Sequence, residues 1–280
     1  MEDVRGRVAV ITGAGSGIGR GMARVFADAG MKVVVADVRQ EGIDATVADL
    51  TGAGHEAIGV KTDVSKLAEV EALAQAAMDH FGAVDVLCNN AGVGTFAPIS
   101  AMSIEDWEWT LAIDLWGPIY GVKAFLPLME KHGSGHINST ASVAGLVSAA
   151  TLGPYNVAKH GVVALMCTLE RELRAAKSNI TTSVLCPGAV NTSIGPNSLN
   201  IRKAAAGAVT PTPMGAKANQ RNKAALAGGA DPDDVGRMVL DAIVSGHFWV
   251  LTDARMAKQQ RYQVESMLED RSLSRLGRQS

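Results

Sequence analysis

The chain is short of the features that mark several protein classes. Aromatic residues make up 4% of its 280 positions, and only three are cysteines. Cys88, Cys167 and Cys186 lie far apart in apolar contexts, which excludes a disulfide frame and predicts reduced core thiols. None of the six histidines shares a metal-ligand spacing with a Cys, Asp or Glu cluster, so no metal site is expected. No run approaches the roughly 18 apolar residues of a membrane span, and MEDVRGRVAVITG lacks the pattern of a signal peptide. A cytoplasmic protein is therefore expected. The formal net charge is −2, which gives no electrostatic reason to expect nucleic acid or a membrane surface as partner.

What is abundant is apolar and small. Hydrophobic residues are 47% of the chain and glycines number 30, enough apolar surface to offset chain entropy and enough glycine for tight turns. Short β-branched runs at 7–12, 32–36, 57–62, 84–89, 136–140, 180–186 and 248–252 read as strands covered on both faces. Helical patterns at 17–29, 41–50, 66–81, 104–132, 155–176 and 231–245 separate them. This βα alternation predicts a doubly wound α/β Rossmann fold, with a single, mostly parallel seven-stranded sheet and helices on both faces. One domain is expected over 1–252, followed by a helical extension over 253–280. Within the domain, 193–230 has three prolines, five basic residues (Arg202, Lys203, Lys217, Arg221, Lys223) and no acidic one, and reads as a mobile substrate lid.

Two local patterns carry chemistry. Thr12-Gly13-Ala14-Gly15-Ser16-Gly17-Ile18-Gly19 follows the first strand and opens the first helix. Glycines there would let a pyrophosphate approach the backbone at a helix N-terminus. The run has no Gly-Lys-Ser/Thr, which disfavours a nucleoside triphosphate loop. Asp37 ends the second strand, where a carboxylate accepts from both ribose hydroxyls of NAD and repels the 2′-phosphate of NADP. Second, Tyr155 and Lys159 stand one turn apart on a helix that begins near Pro154. An adjacent ammonium favours the phenolate; lowering a phenol pKa by about 3 units takes about 4 kcal/mol. With three tyrosines in the chain the spacing alone is a weak signal, and a packed tyrosine with a solvated lysine is the plainer explanation. His160 points about 100° away around the same helix and is assigned to packing. Trp107, Trp109 and Trp116 are assigned to helix packing or a subunit surface.

Thr12–Gly19, Asn89-Asn90-Ala91-Gly92, Ser142 with Tyr155 and Lys159, and Pro187-Gly188 through Thr192 occur together in this order. Over about residues 5–252 the chain thereby resembles the short-chain dehydrogenase/reductase family. The resemblance implies an NAD-dependent oxidoreductase acting on a secondary alcohol or ketone. Tyr155 would be the acid/base, Ser142 would hydrogen-bond the substrate oxygen, and Lys159 would hold the nicotinamide ribose and lower the tyrosine pKa. It further implies cofactor contacts from Gly13, Ser16, Gly17, Ile18, Gly19, Asp37, Val38, Asp63, Val64, Asn90, Ala91, Gly92, Pro187, Gly188, Val190 and Thr192, and assembly as a homotetramer or homodimer. Mostly apolar segments at 93–96 and 144–152 favour a hydrophobic small-molecule substrate. One position departs: the family usually has asparagine where this chain has Asp114, whose carboxylate would pair with Lys159 and weaken its effect on Tyr155. A weakened NAD-binding sensor, an epimerase or dehydratase using the same Tyr/Lys pair, and a pure interaction protein remain as alternatives.

Overall fold

The computed structural model describes residues 1–269 except 2, 95, 196, 199, 202–219, 221, 222, 225 and 254. Four of the five basic residues of the expected lid, and with them most of that segment, lie outside the described residues.

Seven strands, β1 (Val8–Thr12), β2 (Lys32–Asp37), β3 (Ala57–Lys61), β4 (Val86–Asn89), β5 (Gly135–Thr140), β6 (Ile180–Cys186) and β7 (Trp249–Leu251), form one sheet in the order β3-β2-β1-β4-β5-β6-β7. All neighbouring pairs are parallel. Parallel neighbours need crossovers, and helices supply them. Helices α1 (Gly17–Asp28), α2 (Gln40–Gly52) and α7 (Pro232–Ser245) bury Met22, Phe26, Ile43, Val239 and Ile243 against one face. Helices α3 (Leu67–Phe81), α5 (Gly117–His132) and α6 (Gly153–Ala175) bury Leu73, Phe125, Met129 and Met166 against the other. Chain order reverses between β1 and β4, so their carboxyl ends border the crevice where α/β sheets take ligands.

The expected strands appear within two residues of their predicted ends, with two corrections to the reading. β3 is an edge strand and half-exposed, because it has a neighbour on one side only. The helix expected over 104–132 is broken into α4 (Ile104–Leu111), a π-helical turn (Ala112–Trp116) and α5. Pro118 lacks the N–H that would bond the Asp114 carbonyl four residues back, so an unbroken α-helical ladder is impossible there. Ser103 and Asp106 close a capping box at the start of α4. The final described helix, α8 (Arg255–Glu269), carries exposed Tyr262, Met267 and Leu268. Among the described residues no helix is long and apolar enough to cross a membrane, and no group of His, Cys, Asp and Glu could hold a metal ion. Cys88 and Cys186 are buried as expected, whereas Cys167 is half-buried.

Candidate active site

The glycine loop joins β1 to α1 and is held from behind by β4 and β5. Thr12 Oγ1 accepts from the Asn90 N–H at 2.9 Å and the Ala91 N–H at 3.1 Å. The Asn90 amide donates to the Thr12 carbonyl at 3.0 Å, and its oxygen accepts from Thr140 Oγ1 at 3.2 Å. Gly13 adopts φ +66°. A Cβ on Gly13 would lie 2.8 Å from Ala91 Cα, and one on Gly19 would lie 2.3 Å from the Gly13 carbonyl oxygen. The reason expected for these glycines was room for a pyrophosphate. In the structure the chain's own backbone excludes a side chain at Gly13 and Gly19.

Asp37, at the end of β2, is buried. Its Oδ2 accepts from the Gly15 N–H and its Oδ1 from the Arg39 N–H, both at 3.0 Å. The Arg39 guanidinium turns back toward the loop, donating to Ser16 Oγ at 3.2 Å with Nε 3.8 Å from Asp37 Oδ1. Asp63, after β3, accepts from the Ser65 N–H at 3.1 Å and the Ser65 hydroxyl at 2.6 Å. Burial pushes its pKa up, but these bonds and Lys66 outweigh that and hold it below the usual carboxylate range.

A cleft of about 670 Å³ runs along these strand ends. Of the residues predicted from the sequence, Gly13, Ser16, Gly17, Ile18, Asp37, Val38, Asp63, Val64, Asn90, Ala91, Gly92, Tyr155, Lys159, Pro187 and Thr192 line it. Gly19, Asp114, Ser142, Gly188 and Val190 are not among the residues that line it. Gly19 packs on Gly13, the Gly188 N–H donates to Thr252 Oγ1 at 2.9 Å, and Val190 is buried in a short bridge with Ala230. The wall suits a dinucleotide: it offers a helix N-terminus at Gly17, carboxylates at Asp37 and Asp63, and apolar surface from Val64, Ala91 and Ile113.

Tyr155 and Lys159 extend from the first turns of α6, which starts at Gly153-Pro154. Lys159 is 3% exposed, which excludes the solvated-lysine explanation. Its Nζ donates to the Thr140 carbonyl at 3.1 Å and lies 5.5 Å from the centroid of the Tyr155 ring. Ser142, just past β5, caps a 3₁₀ turn by accepting from the Ala144 N–H at 3.1 Å, and its side chain also bonds Tyr155. Burial pushes the Tyr155 phenol up; Lys159 pulls it down, Asp114 pushes it up and the Ser142 bond pulls it down, with the balance above the ordinary value. Asp114, in the π-helical turn, is fully buried. Its Oδ1 accepts from the Val93 N–H at 2.8 Å, and its Oδ2 lies 3.6 Å from Lys159 Nζ.

Several wall residues were absent from the sequence-based set. Thr140, two residues before Ser142, lines the cleft, and the motif around Ser142 pointed to it. Trp109, assigned to packing, lines the cleft beside Ala112 and Ile113. The first residues of the expected lid also form wall: Ser193, Ile194, Asn197, Asn200 and Ile201 line the cleft. Ser198 anchors them, accepting from the Gly94 N–H at 2.9 Å and donating to the Ile194 carbonyl at 2.6 Å.

The short chain dehydrogenase family profile matches residues 7–203. A crystal structure of a short-chain dehydrogenase/reductase from Burkholderia phymatum in complex with NAD superposes with a TM-score of 0.94 at 39% identity, covering 98% of each chain. The CLA biosynthesis dehydrogenase/reductase of Lactiplantibacillus plantarum is 31% identical over 257 residues, 90% of both chains. The C alpha-dehydrogenase of a Sphingobium strain is 39% identical over 199 residues, 69% of this chain and 64% of the relative. The chain therefore belongs to the short-chain dehydrogenase family of oxidoreductases.

Proposed function

We infer that this protein is an NAD-dependent oxidoreductase that interconverts a secondary alcohol and a ketone, with Tyr155 as its acid/base. The observation that carries this reading is the convergence of Tyr155, Lys159 and Ser142 beside one wall of the cleft that the glycine loop borders. NAD, when bound, supplies the hydride acceptor. The chain's own residues supply proton transfer and placement. The Tyr155 hydroxyl exchanges a proton with the substrate oxygen, Ser142 donates a hydrogen bond to that oxygen, and the Lys159 ammonium favours the phenolate. Gly13, Ser16, Gly17 and Ile18 hold the pyrophosphate at the N-terminus of α1. Asp37 takes the adenosine ribose, Asp63 and Val64 the adenine edge, and Pro187 with Thr192 the nicotinamide side, backed by Gly188 and Val190.

Asp37 favours NAD over NADP. Arg39 is bonded to Ser16 and lies close to Asp37, so its charge is already engaged within the protein. Val93, Trp109, Ile113, Ile194 and Ile201 in the wall support an apolar substrate, such as an aromatic or alicyclic alcohol. Exposed Trp116 and Val157, on the π-helical turn and α6, support assembly as a homodimer or homotetramer through these helices. The NAD-binding protein of weak turnover is the second reading, favoured by the Asp114–Lys159 contact.

Fluorescence titration with NADH and NADPH, followed by absorbance assays on secondary alcohols with NAD, tests both. Tight NADH binding, much weaker NADPH binding and reduction of NAD by an apolar alcohol are expected. Preference for NADPH would overturn the role of Asp37, and folded protein that binds neither would overturn the whole reading.

A further inference from the structure

We propose that Asp114 is a positioning residue that holds the Lys159 ammonium by its carboxylate, and so sets the pH range in which Tyr155 works above the range a neutral side chain would give. The proposal rests on the Tyr155/Lys159 reading above. Lys159 brings one positive charge into a place that is 3% exposed. Of its three N–H groups, one meets the Thr140 carbonyl. The Asp114 carboxylate, with no exposed surface, stands 3.6 Å away.

The orientation of Asp114 is fixed by its other oxygen, which accepts from the Val93 N–H. Oδ2 is thereby turned toward Lys159 and makes no hydrogen bond in the structure. An asparagine held by the same Val93 contact would aim its NH₂ at the ammonium, donor against donor. The pocket at this atom therefore calls for an acceptor, and a carboxylate is the group that complements the lysine. The consequence falls on Tyr155. A lone ammonium about 6 Å from a phenol favours the phenolate; an ammonium paired with a carboxylate presents a dipole, whose field at the ring is much weaker.

The other ionisable groups nearby do not take over this part. The Cys186 thiol, which feels Lys159 from β6, is held neutral by burial, pushed up to about 12. Asp106 on α4 accepts from the Ser103 N–H in the capping box. His160 on α6 is bonded to the Asn156 carbonyl at 2.8 Å. Burial pushes the Asp114 carboxyl up, and although Lys159 and the Val93 N–H oppose that push, the balance stays above the usual carboxylate range.

The chain has three tyrosines, Tyr120, Tyr155 and Tyr262, so phenolate absorbance near 295 nm, with the Tyr155→Phe signal subtracted, isolates Tyr155 without any substrate. In the cofactor-free wild type the Tyr155 phenolate is expected to appear only above the range of a free tyrosine, and Asp114→Asn is expected to move its appearance down by about one to two pH units. The rising limb of alcohol oxidation moves with it, so the variant oxidises faster at pH 7. Asp114→Ser is read in the same way if the asparagine variant does not fold, as judged by circular dichroism and NADH fluorescence. A wild-type Tyr155 that ionises below the range of a free tyrosine, or a titration unmoved in a folded variant, overturns the proposal. A shifted titration in a protein that reduces no NAD with any alcohol supports the Asp114 role and removes the dehydrogenase reading instead.

Discussion

β5 carries two buried polar clusters, and they solve the cost of burial differently. Near its start, His136 is fully buried with Nδ1 2.8 Å from Thr181 Oγ1 and Nε2 2.8 Å from Ser183 Oγ, and Ser183 also accepts from the Asn138 amide at 2.8 Å. With Ser183 donating to Nε2 and Nδ1–H donating to Thr181, every one of these protons has an acceptor. Burial pushes the His136 pKa down to about 3, so the ring is neutral. Near the other end, the Thr140 carbonyl receives Lys159, and the cluster of Lys159, Asp114 and Tyr155 holds ionic charge at a contact of 3.6 Å. Each cluster leaves one buried oxygen without a hydrogen bond, Asn138 Oδ1 in the first and Asp114 Oδ2 in the second. Leaving a neutral amide oxygen so costs about 1–3 kcal/mol, and a carboxylate oxygen costs more. Charge is kept buried in the cluster proposed to move a proton, and neutral pairing suffices where the sheet only has to hold.

The sharpest way to break the comparison is to remove one polar atom from each cluster and ask what is lost. Tyr155→Phe removes a hydroxyl from the charged cluster and keeps the ring. Turnover is expected to fall about 10³-fold, about 4 kcal/mol of barrier, while NADH affinity and melting temperature stay close to wild type. Steady-state assays beside a fluorescence titration read both. A fall of less than tenfold would take the acid/base role away from Tyr155.

The next effect belongs to the neutral cluster and appears as acid sensitivity. His136 titrates at about 3 folded and near 6.5 unfolded, so between those values the unfolded chain binds the extra proton. The stabilising contribution is complete above about pH 6.5 and is lost as pH falls toward 3. From pH 7 to pH 4.5 the loss amounts to about 2.5 kcal/mol. Urea denaturation at the two pH values, in wild type and His136→Gln, isolates it, because the glutamine does not titrate. Equal pH dependence in both proteins would show that His136 is not the buried neutral group described.

Much of this architecture was legible in the sequence, for reasons that also explain what was not. Strands buried on both faces are unbroken β-branched runs, so β1 and β2 announced themselves; β3 looked alike but lies at the edge, and nothing in Ala57–Lys61 states which strands flank it. The break between α4 and α5 had a signal in Gly117-Pro118, overridden by the apolar pattern around it. The glycine loop was found for its motif, whereas the packing that leaves no room for a Cβ on Gly13 and Gly19, against Ala91 and the loop itself, is a tertiary fact no local spacing carries. Asp114 stood out as a departure, and the contact it makes with Lys159 follows from two helices meeting, which sequence separation hides. Trp109, assigned to packing or a subunit surface, also lines the cleft, and a helical face toward a cleft has the same period as one toward a core.

The finest comparison lies inside the neutral cluster. Ser183 and Thr181 each bond one nitrogen of His136 at the same 2.8 Å, but Ser183 is fully buried and Thr181 is half-buried. Ser183→Ala leaves both His136 Nε2 and the Asn138 amide without their partner, where no exposed surface lets water replace it, and is expected to cost about 2 kcal/mol. Thr181→Val keeps the β-branched shape that suits the strand and removes a single acceptor at a place water reaches, so about 1 kcal/mol is expected. The two strands are otherwise unchanged, because the alternate face of β6 keeps Thr182 bonded to Glu170 at 2.7 Å. Chemical denaturation of the two variants at pH 7 orders the pair. Equal losses would mean that burial does not set the strength of these bonds, and a larger loss at Thr181 would place the essential proton on the other side of the ring.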